Sequence, residues 1–489
     1  MALDPHTPVL VGVGAVVQRE DDAAAAKEPV ELMIVALTRA GEDAGAPALL
    51  GEAATVIVPK GIWSYPDPAR IVADRFGAHA RSVLAEVGIL QQSPFTLAAR
   101  RIAAGDADVV LVAGGEAKHR ALRAQIAGTT APETAQDGVT PDIRIDPRGD
   151  IISQVEIHRG LAVPARQYAL IETALRAATG TSVDAHLQEL AELQSAFSHV
   201  AAGNPDAWDR TGYSPAELAP SPVNRVVALP YTKLHCSQWN VDLSAGHILC
   251  SVETATRHGI PRDRWVFPVA AAESNTMIVM TERAELHRSH GFELGGRRLF
   301  EAAGTTIDDV AHLDLYSCFP AAVRIQAREL GIADGRPLTV TGGMTFAGGP
   351  LNNYVLQAMV TLARVLRADP GSLGLSTSVS GMVTKQGLGL WSTEPPANGF
   401  TPVDVSDEVA RATRTLRSSG DVAGDGEVAG YTVVFDGDRP TQAIVVATVD
   451  EVRTVATSDD PDVAAAVTEG EWVGRTVTVG ADGTFTPTR

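Results

Sequence analysis

Between Thr341 and Tyr354 the chain runs Gly342-Gly343-Met344-Thr345-Phe346-Ala347-Gly348-Gly349-Pro350-Leu351-Asn352-Asn353, and an apolar segment, Val355 to Val360, follows. Two adjacent glycine pairs let a backbone come close to a ligand and adopt conformations closed to other residues. The apolar segment reads as a buried helix whose N-terminus aims amides at whatever the loop holds. Gly342, Gly343, Gly348 and Gly349 are therefore ligand-binding candidates. Asn352 and Asn353 either hydrogen-bond an oxygen of the bound ligand or cap the helix after the loop. His119 and Arg120 either reach a phosphate or begin a solvated face. Cys236, Cys250 and Cys318 are too few and too scattered for a disulfide framework or a zinc cluster, so no metal is expected. Gly12-Val13-Gly14 has Val17 where a dinucleotide fingerprint needs glycine, so NAD is not expected either.

These residues need elements to position them. Pro8 to Gly14, Ala53 to Val58 and Asp108 to Gly115 are short apolar runs that predict buried strands. The last, apolar at every position from Val109, is of the kind found inside parallel sheets. Helical spacing predicts helices over 28–44 and 93–104, the second ending at Gly105. From Lys118 to Asn224 prolines interrupt polar helices such as 186–201, which reads as an insertion outside a sheet. Strand and helix alternate again from Ala245, with strands near 245–252, 266–270 and 313–316 and helices near 295–303 and 321–330. A duplicated βαβ half, with right-handed crossovers and parallel sheets, is the economical reading.

The composition limits the function. At 489 residues several domains are expected, and 45% hydrophobic with 20% charged residues is ordinary for a soluble globular protein. A net charge of −19 argues against nucleic acid as partner. No apolar run reaches the roughly 18 residues of a membrane span, and the N-terminus does not read as a signal peptide, so a reduced cytoplasmic setting is expected. Residues 401–489 hold 16 Asp or Glu against 7 Arg and no Lys. They predict an acidic linker and a small all-β module with strands at 430–435, 442–449 and 476–479.

Four segments in order resemble the thiolase superfamily, especially sterol-carrier-protein-type thiolases (acetyl-CoA acetyltransferases) and their thiolase-like relatives. They are Ala104 to Gly115, Asn240 to Gly246, Tyr316-Ser317-Cys318-Phe319, and the loop from Thr341, where the family carries Gly-His-Pro-x-Gly. The resemblance spans about residues 7–400. It implies an α/β duplicated thiolase fold, five-layered α/β/α/β/α, with an inserted loop domain, followed here by a small C-terminal all-β, OB-like domain. The expected division is 1–117 with 236–260 as the N-terminal half, 118–235 as the inserted, CoA-binding loop domain, 261–400 as the C-terminal half, and 401–489 as linker and β-barrel-like domain. The implied ligand is coenzyme A or an acyl-CoA. Because thiolases pair through their core sheets, both a dimer and a monomer stay open.

The same resemblance places the family's nucleophilic cysteine at Gly88, its activating histidine at Gly349, its second cysteine at Val379, and the Asn or His of its fourth motif at Tyr316. All four positions depart from the pattern. Tyr316, Ser317 and Cys318, beside the implied pocket, are the remaining catalytic candidates, although Cys318 reads first as a small buried hydrophobe. Lys385-Gln386 lies where the family's C-terminal loop closes the pocket. Three functions remain open: a binder of CoA thioesters without thiolase chemistry, an acyltransferase or lyase that works without cysteine, and a scaffold carrying the C-terminal module.

Overall fold

The computed structural model describes residues 3–488. Three sheets organise them. The first has the order β1 (Pro8–Gln18), β8 (Asp242–Ser251), β4 (Val109–Ala117), β2 (Thr55–Pro59), β3 (Arg81–Ala85), β5 (Ile143–Ile145). β2 runs parallel to β4 and β3, and β3 parallel to β5, but β8 is antiparallel to both β1 and β4. The sheet is thus mixed rather than parallel as the alternation predicts. The reason is topological: β8 returns after the insertion and enters between two strands already formed.

The helix Pro29–Asp43 lies flat on β1 and β8. A Cβ on Gly12 or Gly14 would overlap the carbonyls of Ala40 or Ala36, and one on Gly246 would sit 2.7 Å from Leu37 N. These glycines serve close helix-on-sheet packing.

The second sheet has the order β10 (Val310–Asp314), β11 (Leu373–Ser380), β12 (Lys385–Ser392), β9 (Phe267–Ser274), β13 (Thr401–Asp404). Helices Ser93–Ala103 and Tyr354–Ala368 are sandwiched between the two sheets, each touching strands of both. Tyr354–Ala368 is buried at ten of its fifteen positions, as a helix apolar nearly all round must be. Outside the first sheet lies Pro29–Asp43; outside the second lies His290–Ala303. The result is the five-layered α/β/α/β/α body.

The third sheet is the C-terminal all-β region. β15 (Gly424–Asp436), β16 (Arg439–Val449) and β17 (Val452–Ser458) form a meander; the helix Pro461–Thr468 then leads to β18 (Thr476–Val479) and β19 (Phe485–Pro487). β18 pairs back onto β15, and β19 onto β18, while Thr457 bridges Thr484 to close the ring. Short β14 (Arg417–Ser418) flanks β17. The insertion also contributes: β6 (Val226–Ala228), paired with β7 (Tyr231–Thr232), joins β15 through Ala228 and Val434. Among the described residues no helix is long and apolar enough to cross a membrane.

Candidate functional site

The glycine loop is organised by one carboxylate. Asp314, last residue of β10 and fully buried, accepts through Oδ2 from Thr339 Oγ1 (2.9 Å), Val340 N (3.0 Å), Thr341 N (3.0 Å) and Thr341 Oγ1 (2.9 Å). Its Oδ1 accepts from the Tyr354 hydroxyl at 2.8 Å. The two ends of the loop are thereby tied to one strand. Burial pushes the Asp314 pKa up, against the pull of these donors. Ser317 Oγ continues the clamp, accepting from Met344 N at 3.0 Å and lying 3.4 Å from the Tyr354 hydroxyl.

What approaches the four glycines is protein, where the sequence predicts a ligand. Gly342 (φ +99°) and Gly343 (φ +73°) face the helix Val183–Gly203 of the insertion: a Cβ on Gly342 would lie 2.5 Å from Ala201 Cα, and one on Gly343 2.5 Å from the Phe197 ring. Gly348 (φ +106°) packs on Leu243. A Cβ on Gly349 would overlap Ser237 Oγ and stand 3.2 Å from the Met344 methyl. The space a histidine would need at 349 is filled.

The other positions read from the resemblance are closed as well. Gly88 (φ +98°) has Pro147 and Ile151 of the insertion 3.0 and 3.3 Å from where a Cβ would be. Its carbonyl accepts from Lys385 Nζ at 2.7 Å. Lys385 is 1% exposed, and burial lowers its pKa while Glu273 pulls it back up. Glu273 is itself half-buried, accepting from Ser93 Oγ and Thr96 Oγ1 at 2.6 Å each, and desolvation raises its pKa. Val379 is buried opposite Gln386 in the β11–β12 ladder. Tyr316 is buried with its ring edge-on to Tyr354 at 5.8 Å, its amide donates to Thr377 Oγ1 at 2.8 Å, and its hydroxyl pKa is raised by burial. Cys318 lies in the core beside Tyr168, and burial pushes its thiol up to about 12. Such a sulfur stays protonated at neutral pH, which is the buried-hydrophobe reading.

The asparagine pair does not cap the helix through a side chain. Asn353 is the N-cap residue of Tyr354–Ala368 but makes no cap bond with its side chain. Its Oδ1 and Nδ2 are both buried without a partner among the described residues, packed where Gly114 lacks a Cβ. Asn352 is only half-buried. A buried, unpartnered amide costs roughly 1–3 kcal/mol, so Asn353 is the more informative of the two. The doubled asparagine was the only sign of it in the sequence.

His119 is half-buried: its Nε2 lies 3.1 Å from exposed Asp21 Oδ1, and its ring meets Trp208 edge-on at 5.3 Å. Arg120 is 7% exposed and donates to the carbonyls of Ala23 (3.2 Å) and Pro132 (2.9 Å). Both tie the start of the insertion to the loop after β1. The sequence also missed strained backbone. Leu351 (φ +38°), Met382 (φ +55°) and Val383 (φ +69°) sit in the left-handed region, at about 1–3 kcal/mol each. Leu351 borders the glycine loop, and the other two join β11 to β12. Among the described residues no group of three or more His, Cys, Asp or Glu is placed to hold a metal.

Residues 404–484 match the family model described as the thiolase-like protein type 1 additional C-terminal domain. A search of curated proteins found no match. Among solved structures, a monomeric SCP2-thiolase like protein type 1 from Mycobacterium smegmatis is similar over 100% of both chains, at 29% identity and a TM-score of 0.82. An Ltp2-ChsH2(DUF35) aldolase is similar over 80% of this chain and 99% of that one, at 19% identity and a TM-score of 0.61. Human mitochondrial 3-ketoacyl-CoA thiolase, solved in complex with CoA, is similar over 79% of this chain and 98% of that one, at 15% identity and a TM-score of 0.58. The last two likenesses concern the fold.

Proposed function

We propose that this chain, a thiolase-like protein of the thiolase superfamily with the additional C-terminal domain, binds a CoA thioester and does not carry out thiolysis or condensation by the family's route. The orphaned Asn353 amide carries the reading. Its Nδ2 is a buried donor without a partner, at the N-terminus of the helix that follows the glycine loop, and it would donate to a thioester oxygen there. Filled space at Gly88 and Gly349, and a protonated Cys318, support the absence of an acyl-enzyme. The insertion, residues 118–235 in this reading, holds the CoA body.

The C-terminal ring has a three-strand meander, a helix, then two strands, with the first strand pairing the fourth. That order supports an OB-like barrel.

The test is calorimetric titration with CoA, acetyl-CoA and a long-chain acyl-CoA, with free thiol followed in the same samples. Saturable binding, weakened about tenfold in Asn353→Ala and without thiol release, is expected. Thiolysis that survives Cys318→Ala would overturn it.

Lys385 favours a second reading, a lyase acting on an acyl-CoA. A buried ammonium on the Gly88 carbonyl is suited to hold a developing enolate oxygen. Release of an aldehyde from a 3-hydroxyacyl-CoA, lost in Lys385→Met, would support it; intact release in that variant would exclude it.

A further inference from the structure

The helix His290–Ala303 begins at a cavity of about 30 Å³ that no residue of the 339–354 loop lines. Its N-cap, Ser289, makes no cap bond. The hydroxyl is instead engaged by Gln386 Nε2 at 2.9 Å and faces the Val383 carbonyl at 3.4 Å. The first amides of a fourteen-residue helix, those of His290 and Gly291, are therefore left without a side-chain acceptor where the helix dipole is positive.

The second observation is independent. Arg283 lines the same cavity, is 4% exposed, and makes no ion pair or side-chain hydrogen bond among the described residues. Its Nε and Nη2 are enclosed without a partner. The buried carboxylate of Glu156, which pulls on Arg283 electrostatically, is already taken by Ser153 N (2.9 Å) and Thr281 N (2.7 Å). Burial lowers the Arg283 pKa to about 10, so it remains a cation at neutral pH. Exposed Arg414 stands on the rim. Glu285 shares the rim, with its carboxylate 3.3 Å from His290 Nε2. The far wall is Val383, one of the two strained residues of the β11–β12 turn.

We propose that this cavity is a binding site for a phosphate group, held by the Arg283 guanidinium, the first amides of His290–Ala303, and Arg414 at the mouth. The volume is roughly twice what one ordered water needs, which suits a small oxyanion and excludes a nucleotide body. The phosphate is either free or carried on a molecule that lies outside the mouth.

The experiment is calorimetric titration of the full chain with inorganic phosphate, for wild type, Arg414→Ala and Arg283→Met. Saturable binding that weakens about tenfold in Arg414→Ala and is lost in Arg283→Met is expected. If Arg283→Met does not fold, Arg414→Ala decides, because its side chain is exposed. No binding up to about 10 mM phosphate, or unchanged affinity in Arg414→Ala, would overturn the site. Competition identifies the source. Displacement of phosphate by CoA but not by 3′-dephospho-CoA means a carried phosphomonoester; displacement by neither means free phosphate.

Discussion

At the residue scale, the positions that the thiolase resemblance assigns to a nucleophile and its histidine are glycines with side chains packed against them. Restoring the family's residues one at a time therefore meets steric and backbone resistance. Gly349→His must displace Ser237 and Met344, and Gly88→Cys puts a side chain at φ +98° against Pro147. Each is expected to lower unfolding stability by about 1–3 kcal/mol, read from the urea midpoint, with no thiolysis gained. A variant as stable as wild type would show that the space is open. Titration offers a second prediction. His247, fully buried in β8 against Phe95, has its pKa lowered to about 4, chiefly by burial. A histidine held below its unfolded value stabilises the fold above pH 6.5, and that stability is lost as pH falls toward 4. Between pH 7.5 and 5 its contribution falls by about 2 kcal/mol. His247→Phe should therefore lose correspondingly less stability over that range than wild type, and equal losses would contradict the assignment. Buried Glu116, raised to about 7 chiefly by burial, acts in the opposite sense: its contribution is full below pH 4.5 and is lost as pH rises through 7.

At the scale of elements, the periodic parts were legible. Runs such as Val109 to Val112 and the apolar helix from Tyr354 declare themselves because burial selects their pattern. β5 did not, since three half-exposed residues carry no period. Yet β5 occupies the outer edge of β3, with Val83, Leu84 and Ala85 opposite Ile143, Arg144 and Ile145. An edge strand left bare is a template for another chain. The sequence left dimer and monomer open; on β3 the edge is covered by residues 143–145. Replacing residues 143–145 with Gly-Ser-Gly is expected to raise self-association in sedimentation velocity. An unchanged sedimentation coefficient would mean that β5 does not guard that edge.

At the scale of the whole molecule, the five-layered body and the C-terminal ring are joined by specific bonds. Thr173 Oγ1 donates to the Tyr431 carbonyl at 2.9 Å and accepts from its amide at 3.0 Å, while Arg176 reaches the Tyr431 hydroxyl at 3.1 Å and pairs with Glu471. Thr173→Ala leaves two buried backbone groups unsatisfied, so a loss of about 2–4 kcal/mol is expected in chemical unfolding. A loss below about 0.5 kcal/mol would mean that the seam is wet. Such contacts explain why the glycine loop was legible and its surroundings were not. Gly342 shows in the sequence as a residue something must approach; that the approaching residue is Ala201, some 140 positions earlier, is settled only by packing.

The seam also bears on how the protein is made. β6 leaves the ribosome about 200 residues before β15, the strand that receives Ala228. At roughly 5–20 residues per second it waits some 10–40 s with its partner untranslated. In that interval residues 226–228 have only β7 to pair with. Translation speed through the second half of the chain thus sets how long a strand-forming segment stands open to chaperones or to a neighbouring nascent chain.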